Sequence, residues 1–239
     1  MLSLMRIKMK KYFFESILII GSVLLSLYID SLIKKQEKID QKKSILLELK
    51  GTLNEDIRQL KDVIKIQNRI LKSNELLIND YYGLIKLDKN ILADHFSLLK
   101  QLGPLSVFIQ TGPYTQLIQT GALELIKNEK LRSKLLYAYD SFNKRKQSGD
   151  DTLDEFAKEF GRDMAQHIVV TESIVDEEIF YKRRKVDKFV IGKNYYNSSI
   201  VIYLYSEYKF WIEAFISLHN KYLTTLNEID LLIEKELGK

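Results

Sequence analysis

An apolar segment near the N-terminus, residues 12–33, constrains this chain more than any other feature. Its sequence is YFFESILIIGSVLLSLYIDSLI, and a cluster of basic residues lies on each side of it. As a helix, these 22 residues span roughly 33 Å, enough to cross a hydrocarbon core of about 30 Å. The sequence therefore predicts a single transmembrane helix over 12–33, preceded by a short basic tail over 1–11.

The charge-free part of this segment, Ser16 to Ile29, has only 14 residues, which leaves two other interpretations open. A stretch of that length is also typical of a cleaved signal peptide or of a core helix in a soluble protein. No small-x-small cleavage site follows, because Tyr28 is bulky where a small residue is needed. We therefore expect an uncleaved anchor.

Four polar residues of the segment are predicted to share one helix face. At about 100° per residue, they fall within an arc of roughly 80°. Carboxylates at membrane depth usually face protein or water, and small residues four apart let helices approach closely. We predict a seam that packs against a second copy or a partner transmembrane helix, although the two acids also reach the two interfaces without one. The four residues are Glu15, Ser22, Ser26 and Asp30.

The basic excess of the chain lies entirely at this end. Lys and Arg number 37 against 32 Asp and Glu, which gives a formal net charge of +5. Residues 1–43 hold nine bases and four acids, whereas residues 44–239 hold 28 of each. A nucleic-acid-binding domain needs a basic face on its folded body. The charge distribution therefore argues against nucleic acid and for the lipid bilayer as a partner.

The orientation follows from the same flanking charges. Four bases precede the segment and five follow it closely, so the positive-inside count nearly ties. Moving a tail with four bases across a membrane is unfavourable, whereas a long following domain can translocate regardless of its charge. We expect a single-pass protein of the inner (cytoplasmic) membrane, with a cytoplasmic N-terminus and a periplasmic body.

The rest of the chain predicts an all-α fold, an antiparallel bundle with long first and last helices over residues 34–239. Only two prolines and ten glycines occur in 239 residues, which favours long helices. Apolar residues at steps of three or four predict a stalk helix over 34–81 and a long C-terminal helix over 197–237. Shorter helices are expected within 86–173, and a loop or irregular hairpin over 174–196.

A search for catalytic motifs finds no glycine-rich phosphate loop, nucleophile elbow or zinc-protease motif. The absence of cysteine excludes thiol chemistry and disulfides. The best metal candidates are Asp163 and His167, with Glu159 one turn earlier, but a metal centre needs three or four ligands. We expect a solvated or salt-bridged helix face there, no cofactor, and a protein that is not an enzyme.

Two stretches carry a family resemblance. Residues 15–31 open on Glu and continue as an aliphatic run with small residues at Ser22 and Ser26, whereas 114–132 form a helix ending in Gly, then Leu-Ile, Asn and Leu-Arg. Both stretches resemble the domain-of-unknown-function family 6090 of bacteria, although Leu32 stands where that family commonly has Trp. The resemblance implies an N-terminal anchor and an α-helical body in gram-negative bacteria, and it implies no activity, cofactor or catalytic residue.

These observations predict a membrane-anchored helical protein that binds or scaffolds a partner in the bacterial cell envelope. The polar seam, the charge-balanced body and the empty motif search all favour this class. The alternative is a ligand-sensing extracytoplasmic module that signals by moving its transmembrane helix.

Overall fold

The computed structural model of the chain describes residues 2–99, 107–176 and 183–238, with side chains for 18–99, 107–174 and 185–238. The chain is mostly helical, which confirms the predicted all-α bundle. A 3₁₀ turn follows α3, and a π-helical segment joins α4 to α5. The elements are α1 (Leu2–Tyr81), α2 (Lys89–Leu99), α3 (Gly112–Gln119), the 3₁₀ turn (Ala122–Leu125), α4 (Glu129–Leu136), the π segment (Tyr137–Phe142), α5 (Asn143–His167), β1 (Ile168–Asp176), β2 (Arg183–Ile191), α6 (Lys193–Tyr196) and α7 (Ser199–Glu236).

The longest element is α1, an unbroken helix of 80 residues. At 1.5 Å per residue it is about 120 Å long, several times the diameter of a small domain. Gly51 lies inside it without ending it. The apolar segment and the stalk predicted from the sequence are therefore parts of one continuous helix.

The core of the bundle is the antiparallel pair formed by α1 and α7. Lys42 of α1 contacts Glu236, and the Tyr81 hydroxyl of α1 donates to the Ser198 carbonyl just before α7. The middle of α1 thus meets the end of α7, and the end of α1 meets the start of α7, so the helices run in opposite directions. Apolar residues at helical spacing on both helices are buried along this contact: Leu46, Leu49, Leu53, Leu60, Val63, Ile70, Tyr205, Tyr208, Ile212, Tyr222, Leu226, Ile229 and Ile233.

The shorter helices pack beside the α1–α7 pair, and α4 begins where its capping residue predicts. Asn128 precedes α4, and its side-chain oxygen accepts the Leu131 N–H at 3.1 Å, which satisfies one free donor of the first turn. Gly121 lies between α3 and the 3₁₀ turn with φ +68°, a left-handed conformation that glycine adopts without a steric penalty. The chain reverses there without strain.

Of the two alternatives predicted over 174–196, the described residues form the irregular hairpin and not the loop: β1 and β2 pair antiparallel with two register shifts, and α6 follows. Strand β1 also begins at Ile168, inside the range assigned to short helices. Ile168 and Phe189 are buried on one face, and Phe189 packs on Phe96 of α2 with ring centroids 5.7 Å apart. Contact with α2 stabilises the hairpin, since a lone two-stranded ribbon is marginal in water.

Candidate membrane-binding segment

The N-terminal half of α1 exposes a continuous apolar surface. All described side chains from Leu18 to Lys38 are exposed, and the large apolar ones range from 48% to 71% exposed. They lie on every face of the helix and not on one stripe. The residues are Leu18, Ile19, Ile20, Val23, Leu24, Leu25, Leu27, Tyr28, Ile29, Leu32 and Ile33.

Such a surface is unusual for a folded chain in water. A helix that is hydrophobic all round is normally buried in a core or a membrane, and monomeric soluble proteins rarely expose large contiguous apolar patches. The bundle does not supply that environment, because burial along α1 begins only at Lys42. Among the residues that the structure describes, no helix is both long and apolar enough to cross a membrane.

The structure places three of the four predicted seam residues on this exposed segment, whereas the Glu15 side chain lies outside the described residues. The Ser22 hydroxyl donates to the Ile19 carbonyl of its own helix at 2.8 Å. The Asp30 carboxylate pairs with Lys34 Nζ at 2.7 Å, one turn later on the same helix. Ser26 is exposed. The seam itself stays a prediction, because these contacts lie within one helix.

The metal candidates from the sequence have a packing role. The Tyr195 hydroxyl donates to Asp163 Oδ2 at 2.5 Å, and the Tyr195 ring stacks on His167 with centroids 4.2 Å apart. Glu159 is exposed. Within the described part of the chain, no group of three or more potential ligands is arranged to hold a metal ion. Asp163 and His167 instead attach α5 to α6.

Buried polar residues between α1 and α7 were not identified from the sequence as interacting residues. Gln67 Oε1 lies 3.0 Å from Nδ1 of His219, and both side chains are fully buried. Because an amide oxygen only accepts, Nδ1 carries the proton in this pair. Burial lowers the pKa of His219 to about 4. Nε2 of His219 and Nε2 of Gln67 have no partner among the described residues.

A second buried polar group lies where α1 passes the segment before α3. Asp56 is 1% exposed, and its carboxylate oxygens accept the Gln110 N–H at 3.2 and 3.3 Å. Burial raises the pKa of Asp56 to about 6. In the sequence, Asp56 and Gln67 only interrupt the apolar stripe, because their partners lie far along the chain. A polar residue inside a long apolar stripe is the one signal that points to them.

The end of the bundle nearest the apolar segment is held together by one carboxylate. Glu236 accepts from Lys42 Nζ at 2.6 Å, and from the backbone N–H groups of Lys127 and Asn128 at 3.1 and 3.0 Å. Lys42 Nζ also donates to the Leu125 carbonyl at 3.3 Å. Burial opposes ionisation, but these donors hold the pKa of Glu236 below its ordinary value. The contact joins α7, α1 and the start of α4.

These buried polar groups hold the helices together, whereas the exposed apolar segment lacks any such structural role. The segment is therefore the best candidate for a functional surface in the described part of the chain. Comparisons with protein families, curated proteins and solved structures found no match to this chain.

Proposed function

We propose that this protein is a membrane-anchored α-helical protein of the bacterial cell envelope whose bundle binds or scaffolds a partner. Residues 12–33 insert into the bilayer, and the bundle stands clear of it on the continuous helix α1. The exposure of eleven large apolar side chains on all faces of 18–33 carries this proposal, since lipid is the environment that suits such a surface. The resemblance to family 6090 also implies an N-terminal anchor.

The proposed location is the inner membrane, with the N-terminus in the cytoplasm and the bundle in the periplasm. The four bases before the apolar segment favour retention of that short end on the cytoplasmic side. A reporter enzyme fused to the C-terminus, active only in the periplasm, tests this orientation. Activity of a cytoplasm-specific reporter at the same position overturns it.

Membrane insertion is tested by extraction with alkaline carbonate, which releases peripheral proteins and leaves inserted ones in the pellet. We expect the native chain in the pellet and a Leu24→Lys/Leu25→Lys variant in the supernatant, because each lysine costs about 3 kcal/mol at the centre of a membrane helix. The matched control is Leu47→Lys/Leu231→Lys, which changes two leucines exposed to a similar degree on the bundle. Release of the native chain overturns the proposal.

The partner on the membrane side is a second transmembrane helix, from another copy or another protein, packed on the seam of Ser22 and Ser26. Their small side chains allow close approach of two backbones. Because the chain has no native cysteine, Ser22→Cys and Ser26→Cys variants can be crosslinked specifically in membranes. We expect a crosslinked dimer or a heteromeric adduct, with Ile20→Cys, off the seam, crosslinking weakly. Equal crosslinking at all three positions contradicts the seam.

Ligand sensing is the second candidate, and the buried polar pairs along α1 and α7 favour it. Two buried contacts set the register of α1 against α7. One joins Gln67 to His219, and the other is the hydrogen bond from Asn74 Nδ2 to the Tyr205 carbonyl at 2.8 Å. A ligand that shifts this register would move the anchor. A thermal-shift screen that raises the melting temperature with a small molecule supports sensing, and an unresponsive protein counts against it.

A further inference from the structure

The contact between Lys42 and Glu236 marks the side of α1 on which the bundle lies. Lys42 Nζ meets both Glu236 of α7 and the Leu125 carbonyl. The Lys42 side chain therefore extends from α1 toward the base of the bundle. Residues of α1 that share this direction, but lie closer to the apolar segment, face the space between the bundle and the proposed bilayer.

Two exposed lysines of α1 lie in that direction. At about 100° per residue, Lys35 and Lys38 fall within roughly 40° of Lys42 around the helix axis. The acids of the same stretch, Glu37 and Asp40, lie about 140–160° away, on the opposite face. All four side chains are exposed. This part of α1 is thus split into a cationic face under the bundle and an acidic face away from it.

The base of the bundle adds two more exposed lysines above this face. The backbone N–H of Lys127 donates to Glu236, which places this residue level with Lys42, and Lys235 precedes Glu236 in the last turn of α7. Both lysine side chains are exposed, and Glu124 and Glu129 are exposed acids in the same stretch as Lys127. We call the space between this end of the bundle and the proposed bilayer the basal crevice. Lys35, Lys38, Lys127 and Lys235 lie at its edge and give it an excess of positive charge.

The height of the basal crevice matches the headgroup layer of a membrane. Nine residues of helix separate Ile33 from Lys42, a rise of about 13–14 Å. The headgroup layer occupies roughly 5–8 Å on each side of the hydrocarbon core. Lys35 and Lys38 therefore lie at headgroup level, and Lys127 and Lys235 lie about one Debye length, roughly 8 Å, above it.

We infer that the basal crevice binds the phosphate groups of anionic phospholipids in the bilayer that holds the anchor. Four exposed lysines from three separate segments lie at the end of the bundle that faces the proposed bilayer. Ammonium groups near an anionic membrane surface attract its phosphates. This inference rests on the proposed membrane anchor. It deepens that proposal by naming the lipid class that the bundle selects.

The test uses the full chain in nanodiscs of phosphatidylcholine with a small fraction of phosphatidylglycerol. Lipids spin-labelled on the acyl chain report, by electron paramagnetic resonance, which headgroup is enriched beside the protein. We expect several-fold selection of phosphatidylglycerol over phosphatidylcholine at low salt, reduced by added salt because screening weakens the attraction. Both Lys35→Gln/Lys38→Gln and Lys127→Gln/Lys235→Gln should bring the ratio close to one.

The matched control is Lys61→Gln/Lys65→Gln, which removes two exposed lysines of α1 far above the base and should leave the selection unchanged. Equal enrichment of both lipids beside the native chain overturns the inference. It is also overturned if the Lys127→Gln/Lys235→Gln variant selects as the native chain does, since selection would then come from α1 alone. If the proposed anchor itself is wrong, the protein will be absent from the nanodisc fraction, and this outcome differs from a loss of lipid selection.

Discussion

At the scale of single residues, Asp56 and His219 give the stability of the bundle opposite dependences on pH. The pKa of His219 is about 4 in the folded protein, below its ordinary 6.5, so the unfolded chain protonates first and stability falls from pH 6.5 to 4. The pKa of Asp56 is about 6, above its ordinary 3.8, so the folded protein protonates first and stability rises from pH 6 to 4.

Single variants separate the two effects. Each shift corresponds to about 3 kcal/mol of unfolding free energy, and the two contributions act in opposite directions in the native chain. Relative to the native chain, Asp56→Asn should lose up to about 3 kcal/mol between pH 7 and 4, and His219→Gln should gain a similar amount. Urea unfolding in detergent, followed by the fluorescence of Trp211, the one tryptophan of the chain, measures both.

The exposed Asp62 provides the control for these pH experiments. Asp62→Asn should change the free energy of unfolding little, because replacing an exposed side chain removes few contacts. If all four proteins show parallel dependence on pH, burial does not shift the two pKa values as described.

The buried pair of Lys42 and Glu236 is a second test at this scale. Removing one partner leaves the other charge buried and unpaired, so Glu236→Ala should lower the free energy of unfolding by about 3–5 kcal/mol. The double variant Lys42→Met/Glu236→Leu should lose less than the single variant, because no buried charge remains. Urea unfolding measures both proteins.

Exposed Glu129 is the control, and Glu129→Ala should change stability little. A double variant less stable than Glu236→Ala contradicts this account.

At the scale of elements, the helices follow from sequence patterns more directly than the hairpin does. Leu46, Leu49 and Leu53 repeat at helical spacing and are buried as that spacing predicts. The hairpin differs, because a half-buried strand is recognised by alternation of apolar and polar residues. Val169 and Val190 are apolar although they lie on its exposed face, so this alternation is lost. Its stability comes from Phe96, more than 90 residues earlier than Phe189, and no local pattern records such a contact.

Two helical glycines offer a matched test of packing. An alanine methyl group at Gly51 of α1 meets nothing within 4 Å, whereas at Gly149 of α5 it lies 3.2 Å from the Phe215 ring. Gly51→Ala should raise the free energy of unfolding by about 0.5–1 kcal/mol, because alanine has the higher helix propensity. Gly149→Ala should gain less or lose stability, because the ring must move. Urea unfolding gives both values, and equal gains would show that α5 does not pack on α7 as described.

At the scale of the whole molecule, α1 combines two parts. Its C-terminal half packs in the bundle, and its N-terminal half carries the exposed apolar segment. The sequence predicts this continuity, since residues 34–43 contain neither glycine nor proline. It does not predict the basal crevice, because the segments that carry Lys127 and Lys235 are brought to this end of the bundle by the folded contact between Glu236 and Lys42. The candidate anchor is thus predictable from local composition, whereas the arrangement of charged residues near it depends on tertiary structure.

A proline in the exposed connector separates these two roles of α1. Gln36→Pro removes a helical hydrogen bond below the bundle, where side chains are exposed, so the stability of the bundle should stay unchanged. The matched variant Lys61→Pro, at an exposed site where α1 packs against the bundle, should lower the free energy of unfolding by about 3 kcal/mol or more. Fluorescence of Trp211 during urea unfolding distinguishes the two.

The same Gln36→Pro variant should lose the selection of phosphatidylglycerol in nanodiscs even though it keeps Lys35, Lys38, Lys127 and Lys235. The kink lies in the turn before residue 36, so it tilts the apolar segment relative to the bundle, and the base of the bundle no longer faces the headgroups squarely. Retained selection would show that the lysines act independently and that a rigid α1 is not needed. Loss of selection with unchanged bundle stability means that the straight helix aligns the base of the bundle with the membrane.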